Sequence, residues 1–318
     1  MSSEFELIGK YFTRPATHSV LGAGDDGAII QPGAGMQLVI STDMLVEGVH
    51  FLPGADAEAL GWKTLAVNLS DMAAMGAQPR WVVLAAAIPA ADENWIAAFA
   101  RGFFACAERY GVDVIGGDTT RGPLTLAPTI FGEVTAGQSL LRSGAKVGDE
   151  LWISGAPGYA ALGLAHLQQR LTLKQPALKR CLDALHRPQP RVELGLALRG
   201  VASAAIDVSD GLLADLGHVL QQSGVGAELH ETLLPLPALN EVDPALVREC
   251  VLAGGDDYEL LFTAAPVQQA ALKQIARTLK LPLNCIGVIT ATQAGSITLH
   301  ETSGKAVPLE QRGFDHFK

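Results

Sequence analysis

Hydrophobic residues along this chain fall into short runs, and many of the runs stop at a carboxylate. Leu38, Val39 and Ile40 read as a short buried strand that ends in Ser41, Thr42 and Asp43. Residues 57–76 show helical spacing, with Leu65, Leu69 and Met72 on one face and Thr64, Asn68 and Asp71 on another. Ala66, Val67, Ala73, Ala74 and Met75 make that helix apolar nearly all round, so burial is expected, and a buried Asp71 needs a job. Residues 81–88 predict a central strand. Asp92 is placed to cap a helix with Ile96, Phe99, Phe103 and Tyr110 inward and Gly111 as its stop. A strand at 112–115 runs into Gly116-Gly117-Asp118-Thr119-Thr120-Arg121-Gly122. Residues 124–134 form another strand, in which Pro128, lacking an N–H, is expected near an edge.

Between residues 135 and 149 the composition shifts to Gly, Ser, Arg and Lys, which places a domain boundary there and separates residues 1–137 from 138–318. Beyond it the pattern predicts a strand at 150–154, helices at 159–170 and from 177 to the break at Pro188-Gln189-Pro190, and a helix at 191–199. A strand at 204–208 carries Asp207 into Ser209-Asp210-Gly211. A helix with Leu212, Leu213, Leu216, Val219 and Leu220 follows and stops at Gly224. Gly254-Gly255-Asp256-Asp257-Tyr258-Glu259 leads into a strand at 260–263, Pro266 opens a helix to 279, and short strands follow near 285–289 and 297–299. With a short amphipathic helix at residues 4–12, the elements alternate without strict βαβ order. That suggests a mixed α/β (α+β) fold in two domains.

Composition narrows the class. A chain of 318 residues, 48% hydrophobic, is long enough for two cores. The net charge of −10, with no Lys/Arg cluster, argues against nucleic acid as a partner. Cys106, Cys181, Cys250 and Cys285 show no CxxC spacing and read as small buried hydrophobes of a reducing compartment. No apolar leader lies between Met1 and Tyr11, and the longest apolar run, 81–91, contains Pro89 and is too short to span a bilayer. A cytoplasmic enzyme with no membrane partner is expected.

The candidate chemistry lies in the acids. Asp43, Asp118, Asp207 and Asp210 follow apolar strands, and Asp25, Asp26 and Asp71 join them. Singly, each reads as a turn or a helix cap. Strand ends in α/β proteins, however, tend to gather at one edge, where ligands bind, and several carboxylates gathered there need cations. No zinc-type or EF-hand spacing is present, and the nearby hydroxyls of Ser41, Thr42 and Ser209 suit Mg²⁺, which bridges carboxylates to phosphates. Phosphoryl transfer follows naturally, although a metal-dependent phosphohydrolase would use similar acids. Gly22-x-Gly24-x-x-Gly27 imitates a dinucleotide fingerprint, but Asp25 and Asp26 would oppose a pyrophosphate and Pro32-Gly33 follow instead of a helix. A Walker A motif is absent. His50, beside Phe51, reads as a substrate contact or a structural histidine. Arg142 and Lys146 read as phosphate ligands or solvated linker charges.

Together, Gly24-Asp25-Asp26, Ser41-Thr42-Asp43, Gly48-Val49-His50-Phe51, Asn68-Leu69-Ser70-Asp71-Met72-Ala73-Ala74-Met75-Gly76, Gly116-Gly117-Asp118-Thr119-Thr120, Asp207-Val208-Ser209-Asp210-Gly211 and Gly254-Gly255-Asp256-Asp257-Tyr258-Glu259-Leu260 resemble the bacterial thiamine-monophosphate kinase family. The likeness continues to Gly313-Phe314-Asp315-His316-Phe317 and covers nearly the whole chain. That family belongs to a superfamily with aminoimidazole ribonucleotide synthetase and selenophosphate synthetase. The latter would want a cysteine near the N-terminal Gly-rich loop, and none precedes Cys106. A maturation protein of this superfamily would carry a C-terminal cysteine, which Phe314 to Lys318 lack.

The resemblance implies an aminoimidazole ribonucleotide synthetase-like fold whose N-terminal domains pair into a β-barrel in a homodimer, with ATP near the interface. It implies ATP-dependent phosphorylation of thiamine monophosphate to thiamine diphosphate, the last step of making that cofactor, by direct in-line transfer with several Mg²⁺ ions. By the same resemblance Asp26, Ser41, Thr42, Asp43, Asp71, Asp118, Asp207 and Asp210 are metal positions, with Asp43, Asp118 and Asp210 central to the transfer. Gly117, Asp118, Arg142 and Ser209 are ATP positions, and His50, Glu259 and Phe314 are substrate positions. The family often has Trp or Tyr where this chain has Phe314, which keeps a ring and loses a polar handle. The acceptor phosphate is already ionised at neutral pH, so no general base is needed and the obstacle is the approach of two anions. A site rich in aspartate and poor in histidine suits that chemistry.

Overall fold

The computed structural model describes residues 4–239, 241–310 and 313–314. Chain contacts divide it into two units, Met1–Met72 with Ala77–Gly137, and Ala73–Gly76 with Gln138–Lys318. The first contains α1 (Glu4–Tyr11), β1 (Met36–Thr42), β2 (Leu45–Val46), α2 (Ala57–Ala74), β3 (Gln78–Ile88), α3 (Glu93–Tyr110), β4 (Asp113–Arg121) and β5 (Thr125–Thr135). Its sheet runs β1-β5-β3-β4, with β2 also on β5. Only β3 and β4 pair in parallel, and α3 makes the crossover that a parallel pair requires.

Helix α3 forms as its punctuation dictates. Asp92 accepts from the N–H groups of Asn94 (2.9 Å) and Trp95 (3.3 Å), and Gly111 ends the helix in the left-handed region. Ile96, Phe99, Phe103 and Tyr110 are buried. Helix α2 is buried along nearly its whole length, as its all-round apolar character required.

Three sequence expectations change in this unit. Strand β1 exists but is not buried: Leu38 is 37% and Ile40 58% exposed, because β1 is an edge strand whose apolar side chains stand in the open in a single chain. The run from Gly116 to Arg121 is part of β4 rather than a loop, since it continues in register along β3 past a bulge at Val82/Val83. Pro128 lies in the interior strand β5. Strand β1 stops at Thr42 opposite Thr129, and β2 resumes opposite Leu126, so Pro128 faces the gap between them. Its carbonyl, turned to that side, accepts from Asp43 N (3.3 Å), and no N–H is called for there.

The second unit contains β6 (Glu150–Ser154), α4 (Tyr159–Leu167), α5 (Ala177–His186), α6 (Val192–Leu198), β7 (Ala204–Val208), α7 (Leu212–Ser223), β8 (Gly226–His230), α8 (Pro244–Ala253), β9 (Glu259–Ala264), α9 (Gln269–Leu279), β10 (Leu283–Thr290), β11 (Ile297–His300) and β12 (Ala306–Leu309). The sheet order is β12-β11-β8-β10-β6-β9-β7, antiparallel except between β11 and β8. One core joins Leu151, Ile206, Val208 and Leu261 on the sheet to Leu212, Leu216 and Leu220 on α7. A smaller core gathers Tyr159, Leu162, Cys181, Val247 and Cys250. The four cysteines are free, and all but Cys285 are buried. Among the described residues no helix is long and apolar enough to cross a membrane.

Candidate functional site

In the first unit, the end of β1 meets the polar stripe of α2. Ser41 Oγ donates to Asp71 Oδ2 (2.5 Å), and Asn68 Nδ2 donates to Asp43 Oδ2. The i, i+4, i+7 spacing explains the outcome: Asn68 and Asp71 share a face and reach neighbouring β1 residues, while Thr64 Oγ1 is satisfied on its own helix by Leu60 O (2.7 Å). Asn68 is fully buried, and its Oδ1 has no hydrogen-bond partner. A buried amide oxygen left unmatched beside two carboxylates favours water or a cation as its neighbour. Thr42 Oγ1 donates to Pro128 O (3.0 Å) and accepts from Thr129 Oγ1 (3.0 Å). His50 Nδ1 accepts from Val46 N (2.9 Å), which closes the turn after β2 and leaves Nε2 as the protonated nitrogen of a neutral ring.

The other acids of this unit stand elsewhere. Asp26 is exposed, its N–H held by Asp25 Oδ1 (2.9 Å). Gly117 and Asp118 lie in β4. A side chain at Gly117 would place Cβ 2.0 Å from Leu84 O, so only glycine permits this strand approach. Asp43, Pro128, Leu84 and Gly117 occupy one row across β1's end, β5, β3 and β4. Three strand spacings put about 14 Å between the ends of that row, so Asp118 does not join the Asp43–Asp71 cluster within the sheet.

In the second unit, β7 delivers Asp207, which is buried, to the turn Ser209-Asp210-Gly211 at the start of α7. Asp215, one turn into α7, is only 3% exposed, and its Oδ2 accepts from the N–H groups of Ser209, Asp210 and Gly211, each at 3.1 Å. Burial, and then the charges of Asp207 and Asp210, push its carboxyl up to about 8. The loop before β9 binds the same turn from the other side: Asp256 N donates to Ser209 O and Tyr258 N to Val208 O, both at 2.8 Å. Asp256 (φ 68°) and Tyr258 (φ 52°) take left-handed conformations, a strain that these bonds help to hold. Asp257 between them is partly buried and accepts from Gly158 N with both oxygens (2.8 and 2.9 Å). Burial raises its carboxyl well above the usual range, and Glu259 and Asp256 raise it further.

Phe314 N donates to Asp210 O (3.1 Å), and the Phe314 ring is half exposed. Asp315, His316 and Phe317 of the closing motif lie outside the described residues. Glu259 is buried and receives a two-pronged contact from Arg191, Nε to Oε2 (2.7 Å) and Nη2 to Oε1 (2.5 Å), together with Ser154 Oγ. This pairing is what permits a carboxylate to be buried there. Arg142 and Lys146 are exposed in the loop before β6.

Asp43, Asp71, Ser41 and Asn68 offer oxygen donors only, which fits magnesium and not a thiolate- or imidazole-seeking metal. Among the described residues no three His, Cys, Asp or Glu side chains converge as a metal cage. Sequence reasoning passed over three residues: Asn68, as a partner of Asp43, Arg191, as a partner of Glu259, and Asp215. The signal for Asp215 was legible, an acid set among Leu212, Leu213 and Leu216 on the apolar side of α7.

Models of the AIR synthase related protein family match both halves of the chain, the N-terminal domain over residues 24–134 and the C-terminal domain over 146–300. This defines the class, a two-domain AIR synthase-like α/β protein. The thiamine-monophosphate kinase of Salmonella typhimurium is 44% identical over 99% of this chain and 98% of its own length. The crystal structure of the Stenotrophomonas maltophilia thiamine-monophosphate kinase superposes with a TM-score of 0.84 at 48% identity, covering 91% of this chain and 92% of that one. AaThiL complexed with AMPPCP and TMP superposes with a TM-score of 0.78 at 29% identity over 99% of this chain and 97% of that one. The chain belongs to the thiamine-monophosphate kinase family.

Proposed function

We propose that the protein transfers the γ-phosphoryl group of ATP to thiamine monophosphate, giving thiamine diphosphate and ADP. The observation that carries this reading is the full-length likeness to thiamine-monophosphate kinases, together with a relative solved with AMPPCP and TMP. The site chemistry supports it: acids, hydroxyls and amides cluster in each unit.

Asp26, Ser41, Thr42, Asp43, Asp71, Asp118, Asp207 and Asp210 hold magnesium in this reading. Magnesium supplies the positive charge that lets two phosphate anions approach. Asn68 orients Asp43, and Ser41 and Asp71 orient each other. Gly117, Asp118, Arg142 and Ser209 contact ATP. His50, Glu259 and Phe314 contact the substrate, Glu259 with its carboxylate already set by Arg191 and Ser154. Residues 1–137 bind ATP and magnesium and dimerise, and residues 138–318 complete the nucleotide and substrate site. The exposed Leu38, Ile40, Met44 and Val49 support a homodimer through the first sheet. A cytoplasmic location suits such a cofactor-making enzyme.

The test incubates purified protein with ATP, thiamine monophosphate and Mg²⁺ and identifies the products by chromatography. Thiamine diphosphate and ADP in equal amounts are expected, with turnover falling on the order of 100-fold in Asp43→Asn. ATP consumption without thiamine diphosphate would sink the reading. Release of inorganic phosphate from thiamine monophosphate without ATP would instead favour a phosphohydrolase.

A further inference from the structure

The turn that follows β7 is gripped from both sides. Asp215 collects the three consecutive N–H groups of Ser209, Asp210 and Gly211 on one oxygen. The carbonyls of Ser209 and Asp210 are taken in turn by Asp256 N (2.8 Å) and Phe314 N (3.1 Å). Gly211 itself begins α7 with no side-chain cap, and Asp215 reaches back from inside the helix to the amides in front of it. A surface cap would serve the helix as well. A carboxyl only 3% exposed is costly to bury, so stability alone is a poor reason for it. What it adds is geometry: one rigid acceptor sets the direction of three successive peptide planes. Those planes carry the side chains of Ser209 and Asp210 and, through the Asp210 carbonyl, the backbone of Phe314.

We infer that Asp215 is a positioning residue for phosphoryl transfer, fixing the Ser209–Gly211 turn so that Asp210, Ser209 and Phe314 are presented together. The inference rests on the roles proposed above for those three residues. Asp215 itself touches neither substrate nor nucleotide in this account, and it acts through the backbone it holds.

The experiment compares the full-length wild type with D215A, D215N and D215E. It measures melting temperature, magnesium-dependent kinetics, and hydrogen exchange of a peptide spanning residues 204–214 without nucleotide. D215A is expected to exchange the 209–211 amides at least about 10-fold faster. At a temperature where it remains folded, its kcat is expected to fall about 10- to 100-fold, with a higher magnesium half-saturation. D215N keeps an acceptor oxygen in place and is expected to restore protection and kcat to within about threefold. D215E keeps the charge but moves the oxygen by one methylene, and is expected to stay impaired. It also decides the question should D215A fail to fold.

A lowered melting temperature with kcat and magnesium half-saturation unchanged would show a structural cap and overturn the inference. So would D215N as impaired as D215A, because charge and not the acceptor would then matter. A wild type that makes no thiamine diphosphate overturns the proposed function. The exchange data, which need no turnover, still decide whether Asp215 holds the turn.

Discussion

Asp257 illustrates how much a single residue owes to its surroundings. Its neighbours in sequence mark a turn, yet both of its oxygens reach Gly158 N at the start of α4. Burial favours its neutral form, so the folded chain holds a proton that the unfolded chain releases above pH 3.8. Folding then binds more protons than unfolding, and this contribution to stability declines as pH rises from about 4 toward the raised folded value. Asn at 257 cannot ionise. The stability of Asp257→Asn relative to wild type is therefore expected to improve steadily from pH 4.5 to 7.5 in urea unfolding. A pH-independent difference would mean that Asp257 ionises alike in both states. The same scale shows what spacing alone could and could not reveal at Asp43. The stripe of Thr64, Asn68 and Asp71 was legible as one helical face, but that Asn68 meets Asp43 and Asp71 meets Ser41 depends on where α2 lies against β1.

Among the elements, α2 and α3 cross so closely that two glycines mark the contact. A Cβ on Gly102 would lie 1.7 Å from Glu58 O, and one on Gly61 would lie 2.0 Å from Phe99 O. Gly102→Ala is expected to destabilise the protein by about 2–3 kcal/mol, read from the denaturation midpoint, although alanine favours an isolated helix. An unchanged midpoint would mean that the helices separate at little cost. Elements with strong punctuation were legible beforehand: α3 between Asp92 and Gly111, β7 across 204–208, α7 up to Gly224. Strands β8 and β12 and helix α8 were not. They are four to ten residues long, and β8 and α8 flank a Leu/Pro-rich segment that reads as turn. Their apolar residues acquire meaning only against the second sheet and its two cores, where Leu229 and Val247 are buried.

At the scale of the whole molecule, the first unit leaves Val20, Ile29, Ile40, Met44 and Val49 more than half exposed, with Ile40 on the edge strand β1 and Met44 just past its end. An open strand edge with apolar side chains invites pairing with another chain. The wild type is expected to sediment as a dimer at micromolar concentration and Ile40→Asp as a monomer with an unchanged far-ultraviolet spectrum. A monomeric wild type would remove the pairing from the proposed function.

The sequence by itself determined the two-domain α/β class, the helix boundaries with clear caps, and the collection of acids, because periodicity, capping and motif order are local properties of a chain. Only the tertiary structure decided which groups answer each other. It turned the supposed buried strand at Leu38–Ile40 into an exposed edge, put Pro128 opposite a gap inside the sheet, and separated Asp118 from Asp43 by two intervening strands. It also brought Asp215 beneath the Ser209–Gly211 turn. Those outcomes depend on strand order and helix placement, and contacts between residues distant in sequence are not encoded in any one stretch.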